Sequence, residues 1–346
     1  MTPVAIAVKA NLVSVTGSKH IYPATFANVG HNLVGQDQKS HTAKAVQVDS
    51  VGSFANRIEQ ELAVMGILPE ITTQVGERLI SIHELPHRAY DAVLRDSLLD
   101  GQPWRSSPIG RAVLGSTPDN ATALYTYAPL TLLLGGWDSH GGDAGRGARI
   151  ARSVACEIWG YEVLTARHLT QRIDPLAITL DSEPHALIDG ILTRVAEGAN
   201  GVRPSELGHG DVPGDAQKGV FVERIELTGA ISLARLNRYH FPDDQGVVND
   251  KRDVAARQAL AKIALAGILA VMDKLDLRSG CELVTTSREI LIVNADGSKT
   301  PLEVLNPKEG MQSAIAEAAA QGLAFSSPVR LVAGDALARL AQRGAI

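Results

Sequence analysis

The sequence has few of the residues on which several common protein functions depend. Only two of its 346 residues are cysteines, and Cys156 and Cys281 lack the C-x-x-C spacing of a zinc or redox site. We interpret both as reduced and buried, Cys156 in a helix and Cys281 in a strand. Aromatic residues make up 4% of the chain, so no aromatic cluster offers itself for the stacking of nucleobases.

Long hydrophobic runs and a targeting segment are also missing. The longest wholly apolar run, residues 263–272, is too short to cross a bilayer. The N-terminal residues MTPVAIAVKANLVSV lack a basic leader and a small-residue cleavage site, so we expect a cytoplasmic protein without a membrane partner. The formal net charge is −5, yet arginine and lysine concentrate in a few segments. A basic groove is therefore compatible with the acidic total.

Hydrophobic periodicity and turn residues predict a mixed chain of one elaborated domain, residues 1–346. Helices are predicted over 50–62, 86–98, 147–165, 186–196, 250–275 and 307–322. Strands are predicted over 4–15, 78–83, 124–134, 173–180, 220–227, 281–285, 289–294, 300–305 and, at an edge, 329–332. Long loops are predicted over 16–46, 101–120 and 203–219. Because helices and hairpins do not alternate regularly, we expect an α+β fold around one mainly antiparallel sheet.

The segment LTLLLGGWDSHGGDAGRGARIAR, residues 130–152, indicates a site for a polyanion. Glycines let backbone N–H groups approach a ligand closely, and a helix N-terminus favours negative charge. On the predicted helix, Arg146, Arg149 and Arg152 would share about a third of the circumference. We expect them to contact phosphates. The alternative is a glycine-rich surface turn followed by a solvated helix face.

Two phosphate-binding motifs and one metal motif fit this segment poorly. It has no lysine for a Walker loop, and its glycines do not match the G-x-G-x-x-G of a dinucleotide-binding fold. Asp138, His140 and Asp143 are ordinary metal ligands, but their spacing matches no metal motif. A metal-dependent phosphohydrolase at these three residues remains an alternative function, which divalent metal and a generic phosphoester would reveal.

Six stretches in this order resemble one protein family: YPATFANVG (22–30), SFANRIE (53–59), GGWDSHGG (135–142), RPSELGHGDVP (203–213), SLARLNRYHFP (232–242) and LDLRSGCELV (275–284). The family is the backbone subunit of type I-U, now I-G, CRISPR Cascade, a member of the RAMP superfamily. The resemblance spans nearly the whole chain. It departs from the family pattern at Asn237 and Gly280, where further basic residues are expected.

The resemblance implies a modified RRM-like, ferredoxin-like antiparallel-sheet palm. Finger insertions would occupy about residues 60–130 and a thumb-like hairpin about 203–219. Copies of the subunit polymerise along the CRISPR guide RNA and present it for pairing with target DNA, beside other Cascade subunits and a recruited helicase-nuclease. The subunit itself is implied to be neither an enzyme nor a cofactor protein. Phosphate contacts suit this role, because they hold RNA regardless of its sequence.

The motifs and the basic loops together give the candidate RNA-binding residues. They are Lys19, His20, Asn56, Arg57, Trp137, Ser139, His140, Arg146, Arg149, Arg152, Arg203, His209, Lys218, Arg235, Arg238 and Arg278. Simpler alternatives are a solvated loop at Lys19 and His20, a solvated helix flank at Asn56 and Arg57, and a plain surface loop over 203–219.

A type III-like backbone that cleaves target RNA is the second rival. Asp37 is the only aspartate in the loop after the first strand, and lysine and histidine lie near it in the sequence. A sole carboxylate among such neighbours would support RNA cleavage. Cleavage that disappears in Asp37→Ala would favour this alternative.

Overall fold

The computed structural model describes residues 2–26, 29–138, 149–165, 174–176, 178, 183–196, 200–209 and 219–343. Its strands are β1 (Pro3–Ser14), β2 (His20–Ile21), β3 (Thr25–Phe26), β4 (Gly30–His31), β5 (Leu33–Val34), β6 (Thr42–Asp49), β7 (Ile71–Val75), β8 (Arg78–Ser81), β9 (Ser97–Leu99), β10 (Gln102–Pro103), β11 (Gly136–Trp137), β12 (Arg149–Ile150), β13 (Val154–Leu164), β14 (His185–Ile188), β15 (Ile191–Arg194), β16 (Val220–Phe221), β17 (Arg224–Ser232), β18 (Leu283–Asn294), β19 (Lys299–Pro301) and β20 (Val329–Ala333). Its helices are α1 (Val51–Met65), α2 (Ala92–Arg95), α3 (Pro108–Leu114), α4 (Thr122–Tyr127), α5 (Pro129–Leu134), α6 (Leu233–Leu236), α7 (Asp250–Asp273), α8 (Pro307–Ala320) and α9 (Asp335–Arg343).

The main sheet is antiparallel and carries two long helices. Its central strands lie side by side in the order β18, β1, β17, β13, and β6 pairs with the outer side of β13. Along the chain, α1 lies between β1 and β13, and α7 lies between β17 and β18. The predicted α+β class with an antiparallel sheet is therefore confirmed.

The two helices pack on one face of this sheet. Ser50 and Asn249 cap α1 and α7 by accepting backbone N–H groups. Gly267 of α7 faces α1 so closely that a Cβ there would lie 2.8 Å from Ile58 and 3.0 Å from Leu62. A larger residue at 267 would therefore force the Ile58 or Leu62 side chain to shift. The core beneath is completed by alternate residues of β1, namely Ile6, Val8, Ala10 and Leu12.

Helix α7 is long and apolar enough to cross a membrane by length and composition alone. Most of it is buried against α1, α8 and the main sheet. Such burial is typical of the core helix of a globular domain.

The structure contains a second, five-stranded sheet, whereas the sequence predicts a single sheet. Its order is β10, β9, β20, β7, β8, and β20 runs parallel to β7. The expected edge strand at 329–332 is therefore a central strand, and the edge assignment is wrong. Val329 and Leu331 of β20 are buried on the inner side of this strand. The strand β7, with which β20 pairs, was not predicted.

Several predicted elements have the wrong type. Of the helix predicted over 147–165, the described residues 149–165 form β12 and β13 instead, and the buried positions of β13 alternate from Val154 through Cys156 and Ile158. Residues 186–196 lie in the hairpin of β14 and β15, and 124–134 form α4 and α5. Residues 86–98 hold only short turns of helix before β9. The predicted loop of 16–46 contains the short strands β2 to β5 and the beginning of β6. Residues 283–294 form one strand, β18, where two strands were predicted over 281–285 and 289–294.

Candidate nucleic-acid interface

Three of the predicted arginines from two distant segments converge on one shallow cavity of about 90 Å³. Arg149 lies on β12, Arg235 lies on α6, and Arg238 follows α6. Tyr239 lines the same cavity. We call Arg149, Arg235, Arg238 and Tyr239 the arginine pocket. Pairing of β11 with β12 sets Trp137, the tryptophan of the glycine-rich segment, directly opposite Arg149.

Backbone contacts hold the pocket in place. The Ser232 hydroxyl accepts the Arg235 backbone N–H at 3.2 Å and thereby caps α6. The Arg235 Nη1 donates to the Arg152 carbonyl oxygen at 2.8 Å. Burial raises the pKa of the Tyr239 hydroxyl, while its hydrogen bond with Ser153 and the charges of Arg235 and Arg238 act in the opposite direction.

The three guanidinium groups of the pocket form no ion pair with a carboxylate in the described ranges. Arg149 and Arg238 are exposed, and Arg235 is half-buried. Arginines that converge without internal counter-charges are suited to bind an external anion, since their planar N–H groups match phosphate oxygens.

Arg152 has a different environment from its predicted neighbours. Its Nε donates to the Leu134 carbonyl oxygen at 3.1 Å. Burial, followed by the charge of Arg88, lowers the pKa of Arg152. The helical stripe of Arg146, Arg149 and Arg152 is wrong because β12 and β13 replace the helix, and Arg146 lies outside the described residues.

A second group of candidates lies around His20. Pairing of β2 with β16 sets His20 opposite Phe221. The imidazole stacks on the Phe221 ring at 4.7 Å between centroids and meets the edge of Tyr22 at 4.9 Å. Lys19 forms an exposed ion pair with Glu223. We call His20, Tyr22, Phe221 and Lys19 the His20 surface. Its aromatic rings come from two segments that are far apart in the sequence, so no local motif indicates that they meet.

A buried histidine fixes the chain just behind the His20 surface. The Gly219 backbone N–H donates to His31 Nε2 at 3.2 Å, and His31 Nδ1 lies 3.2 Å from the Ala24 carbonyl oxygen. These two contacts require a neutral ring that is protonated on Nδ1. Burial lowers the pKa of His31, and the positive charge of Arg278 lowers it further. His31 therefore joins residues 24–31 to the end of the 203–219 segment.

Arg57 and Arg278 are tied to the protein near this histidine. Arg57 donates to Asp49 at 3.3 Å through Nε and to the Leu277 carbonyl oxygen at 3.1 Å. Arg278 donates to the Pro23 carbonyl oxygen at 2.8 Å. Asn56 is exposed on α1. Each arginine has only some of its five donors engaged by these bonds.

The departure at Gly280 has a structural cause. Its φ is +79°, and a Cβ there would lie 2.3 Å from the Tyr22 ring. A basic side chain at 280 is incompatible with this packing. Asn237, the other departure, ends α6 and is exposed between Arg235 and Arg238.

The segment that follows β13 is larger than the predicted thumb. It includes the hairpin of β14 and β15, whose residues Leu187, Ile188 and Ile191 are at least half exposed. Arg203 is exposed, and the His209 backbone N–H donates to the Pro204 carbonyl oxygen at 3.0 Å. Ser139, His140 and Lys218 lie outside the described residues. The prediction of a helix over 186–196 is therefore wrong, and this hairpin was not predicted.

The acidic residues behind the rival functions have structural partners. Asp138 is buried and pairs with Arg105 at 2.8 Å, while His140 and Asp143 lie outside the described residues. Asp37 is exposed in a turn, where it accepts the Lys39 backbone N–H at 2.9 Å. That bond and contacts with Ser40 lower its pKa. Within the described ranges, no three or more His, Cys, Asp or Glu residues are grouped to hold a metal ion.

A buried ion pair near Arg152 was not predicted from the sequence. Arg88 binds both carboxylate oxygens of Glu59, at 2.7 and 2.8 Å, and donates to the Gly135 carbonyl oxygen at 3.1 Å. Burial raises the pKa of Glu59, whereas Arg88 and Arg152 lower it. No motif marks these residues, because they meet only through the fold.

The chain is similar to a protein-family sequence profile and to a chain in a solved structure. Residues 6–165 match the sequence profile of the family described as CRISPR-associated protein GSU0053 (Cas_GSU0053). Over these residues the predicted CRISPR-associated family is confirmed. The GSU0053 match includes β1, α1 and β13 and the candidates up to Arg152, while Arg203, Arg235, Arg238 and Arg278 lie beyond it.

A solved structure titled "CRISPR RNA-guided surveillance complex, pre-nicking" contains a chain that aligns with 99% of this one and over 100% of its own length, at 11% identity and a TM-score of 0.37. A TM-score of this size does not establish a shared fold. No curated protein is significantly similar in sequence.

Proposed function

We propose that this CRISPR-associated chain is the guide-RNA-binding backbone subunit of a type I-G Cascade surveillance complex. Copies of it polymerise along the guide and present its bases to target DNA. Other Cascade subunits and a recruited helicase-nuclease complete the assembly in the cytoplasm. The observation that carries the proposal is the arginine pocket, in which Arg149, Arg235 and Arg238 converge and form no ion pair with any carboxylate of the described residues.

Two features of the fold support this role. The chain order β1, α1, β13, β17, α7, β18 with the sheet order β18, β1, β17, β13 corresponds to a split β-α-β repeat, which favours an RRM-like palm. The hairpin of β14 and β15 and residues 200–209 lie between β13 and β16 in the chain and belong to the proposed thumb. The exposed apolar residues at its hairpin suit contact with a neighbouring copy.

We assign no catalytic step to the chain. The carboxylate of Asp138 is held by Arg105, and that of Asp37 accepts the N–H of its own turn. Neither arrangement favours cleavage or phosphoester hydrolysis over RNA binding. The GSU0053 family match also favours the CRISPR role over a metal-dependent phosphohydrolase.

The direct test replaces Arg149, Arg235 and Arg238 together by alanine. Each phosphate contact on a single strand contributes roughly 0.7 to the slope of log affinity against log salt concentration, so three lost contacts should flatten the slope by about 2. The loss should be similar for unrelated RNA sequences. Affinities measured by fluorescence anisotropy at several salt concentrations provide the readout.

The matched control replaces three exposed arginines of the second sheet and the C-terminal helix, Arg78, Arg330 and Arg339, by alanine. It changes the net charge equally but leaves the arginine pocket intact. An equal fall in slope for both variants would refute a specific pocket. An unchanged slope in a folded pocket variant would refute the phosphate contacts.

A further inference from the structure

The buried side chain of Arg88 joins helix α1 to the turn in front of β11. Its Nε and Nη2 donate to the two carboxylate oxygens of Glu59 on α1, at 2.7 and 2.8 Å. Its Nη1 donates to the carbonyl oxygens of Leu134 and Gly135, at 3.4 and 3.1 Å. A guanidinium group can serve both partners at once, because its N–H groups point in fixed directions within one plane. Arg88 therefore fixes the start of β11 relative to α1.

The backbone of Arg88 is strained. Its φ is +52°, in the left-handed region that residues with a Cβ rarely adopt. Such a conformation persists only where surrounding contacts compensate for its cost, and it is concentrated at functional sites. The buried ion pair with Glu59 is itself weak evidence for a stabilising role, since apolar side chains of similar volume often replace such a pair without loss of stability. Both features favour a role in positioning.

The turn that Arg88 holds packs closely between two other segments. A Cβ on Gly136 would lie 2.6 Å from the Tyr90 ring. A Cβ on Gly135, whose φ is +83°, would lie 3.1 Å from the Arg152 backbone nitrogen. The Arg152 Nε also donates to a carbonyl oxygen of this turn at 3.1 Å. A shift of the turn would therefore displace Arg152.

Arg152 connects the turn with the arginine pocket. Its carbonyl oxygen accepts a hydrogen bond from Arg235 Nη1 at 2.8 Å. It also lies two residues after β12, the strand that pairs with β11 and carries Arg149. Hydrogen bonds thus run from α1 through the Arg88 side chain, the turn and Arg152 to Arg235, and the β11–β12 ladder extends them to Arg149.

We propose that Arg88 is a positioning residue for phosphate binding at the arginine pocket. It does not contact RNA itself, because it is buried and all three of its guanidinium nitrogens donate to protein oxygens. It holds the turn that sets the places of Arg149 and, through Arg152, of Arg235. This inference rests on the proposed RNA-binding function and adds to it a residue that acts from behind the pocket.

The test combines Glu59→Met with Arg88→Met, which removes the ion pair without leaving either partner charged and unpaired. We expect an unfolding temperature close to that of the wild type. The slope of log affinity against log salt concentration should nevertheless flatten by about 0.7 to 1.4, as contacts of one or two pocket arginines are lost. Fluorescence anisotropy with single-stranded RNA oligomers of unrelated sequence provides the readout, and all oligomers should respond alike.

Glu59→Gln is the matched control. It removes the ion pair but keeps Arg88 on the carbonyl oxygens of the turn, and the amide oxygen still accepts an N–H from the guanidinium group. Its salt slope should equal that of the wild type, and flattening as large as in the double methionine variant would overturn the inference. Should that double variant not fold, Arg88→Lys decides. A single ammonium group cannot replace the fork of donors, so an unchanged slope in Arg88→Lys would also overturn the inference.

Combination with the alanine variant of Arg149, Arg235 and Arg238 separates positioning from direct contact. Because Arg88 acts through these arginines, Glu59→Met with Arg88→Met should flatten the slope little further in that background. A further flattening as large as in the wild type, or an unchanged slope in the folded double methionine variant, would overturn the inference and leave phosphate binding at the pocket standing. If the wild type binds no RNA even at low salt, the proposed function itself fails.

Discussion

Individual residues show how far a sequence can locate a candidate RNA-binding surface. The arginines at 149, 235 and 238 were identified from local composition and from family motifs, and the fold brings them into one pocket. Arg152 came from the same pattern but donates to a backbone carbonyl. Arg105 and the Arg88–Glu59 pair were not predicted, since residues that meet only through tertiary packing leave no signal in local spacing.

His31 gives a prediction about pH and stability. Because burial lowers its pKa in the folded protein, the unfolded chain takes up a proton at a higher pH than the folded chain does. The stability that neutral His31 provides is therefore complete above about pH 6.5 and is lost as the pH falls from that value toward its lowered pKa. Thermal unfolding of the wild type should show this loss, and His31→Gln should be less sensitive in the same pH range.

His83 requires its own control in that experiment. Burial also lowers the pKa of His83, so it contributes to the pH dependence in the same direction. His83→Gln and the double variant separate the two histidines. If His31→Gln and the wild type lose stability in parallel, the contact with Gly219 does not depend on the protonation of His31.

Gly280 gives a prediction about the missing basic residue. Gly280→Ala should destabilise the protein through both its positive φ and the Tyr22 contact, whereas Gly297→Ala has a similar φ of +82° and nothing within 4 Å of the added Cβ. The control should cost about 1 to 2 kcal/mol. Gly280→Ala should cost at least about 1 kcal/mol more, because the ring has to move. Equal losses in denaturant unfolding would contradict the steric account.

Elements were predicted well where caps or strict alternation mark them and poorly where runs are uniformly apolar. Ser50, Asn249 and the Asp296-Gly297 turn define α1, α7 and the hairpin of β18 and β19. The run LTLLL suits a strand and a buried helix equally, and α5 is the outcome. In 147–165 an arginine- and alanine-rich start suggested a helix, although the alternation of β13 was present in the sequence.

The proposed thumb gives a prediction at this scale. Replacement of residues 206–217 by a short Gly-Ser linker keeps the buried Pro204 and the Gly219 contact with His31. The unfolding temperature of the free protein should therefore change little. Ordered filaments on guide RNA should disappear, while single-site binding through the arginine pocket persists.

Electron microscopy and anisotropy measure these two properties separately. A linker variant that unfolds would mean that the segment is structural. One that still forms regular filaments would mean that the segment is incidental to assembly.

At the scale of the whole molecule, the two candidate surfaces lie at opposite ends of one strand. The arginine pocket adjoins the Val154 end of β13 through Arg152 and Arg235, and Phe221 of the His20 surface pairs with Leu164 at the other end. Ten steps of extended chain separate these ends by roughly 33 Å. A single RNA strand that follows the palm would contact both surfaces of one copy before it reaches the next.

This separation predicts a fixed length of RNA per subunit. The number of bound copies should rise in whole steps as the RNA is lengthened, with the same increment for unrelated sequences, because phosphate contacts set the spacing. Native mass spectrometry on a length series of single-stranded RNA measures the steps. Alanine at Arg149, Arg235 and Arg238 should weaken every step, whereas the linker variant should still bind one copy but lose regular addition of the next. A single bound copy at all lengths would contradict the backbone role, even if the arginine pocket binds RNA.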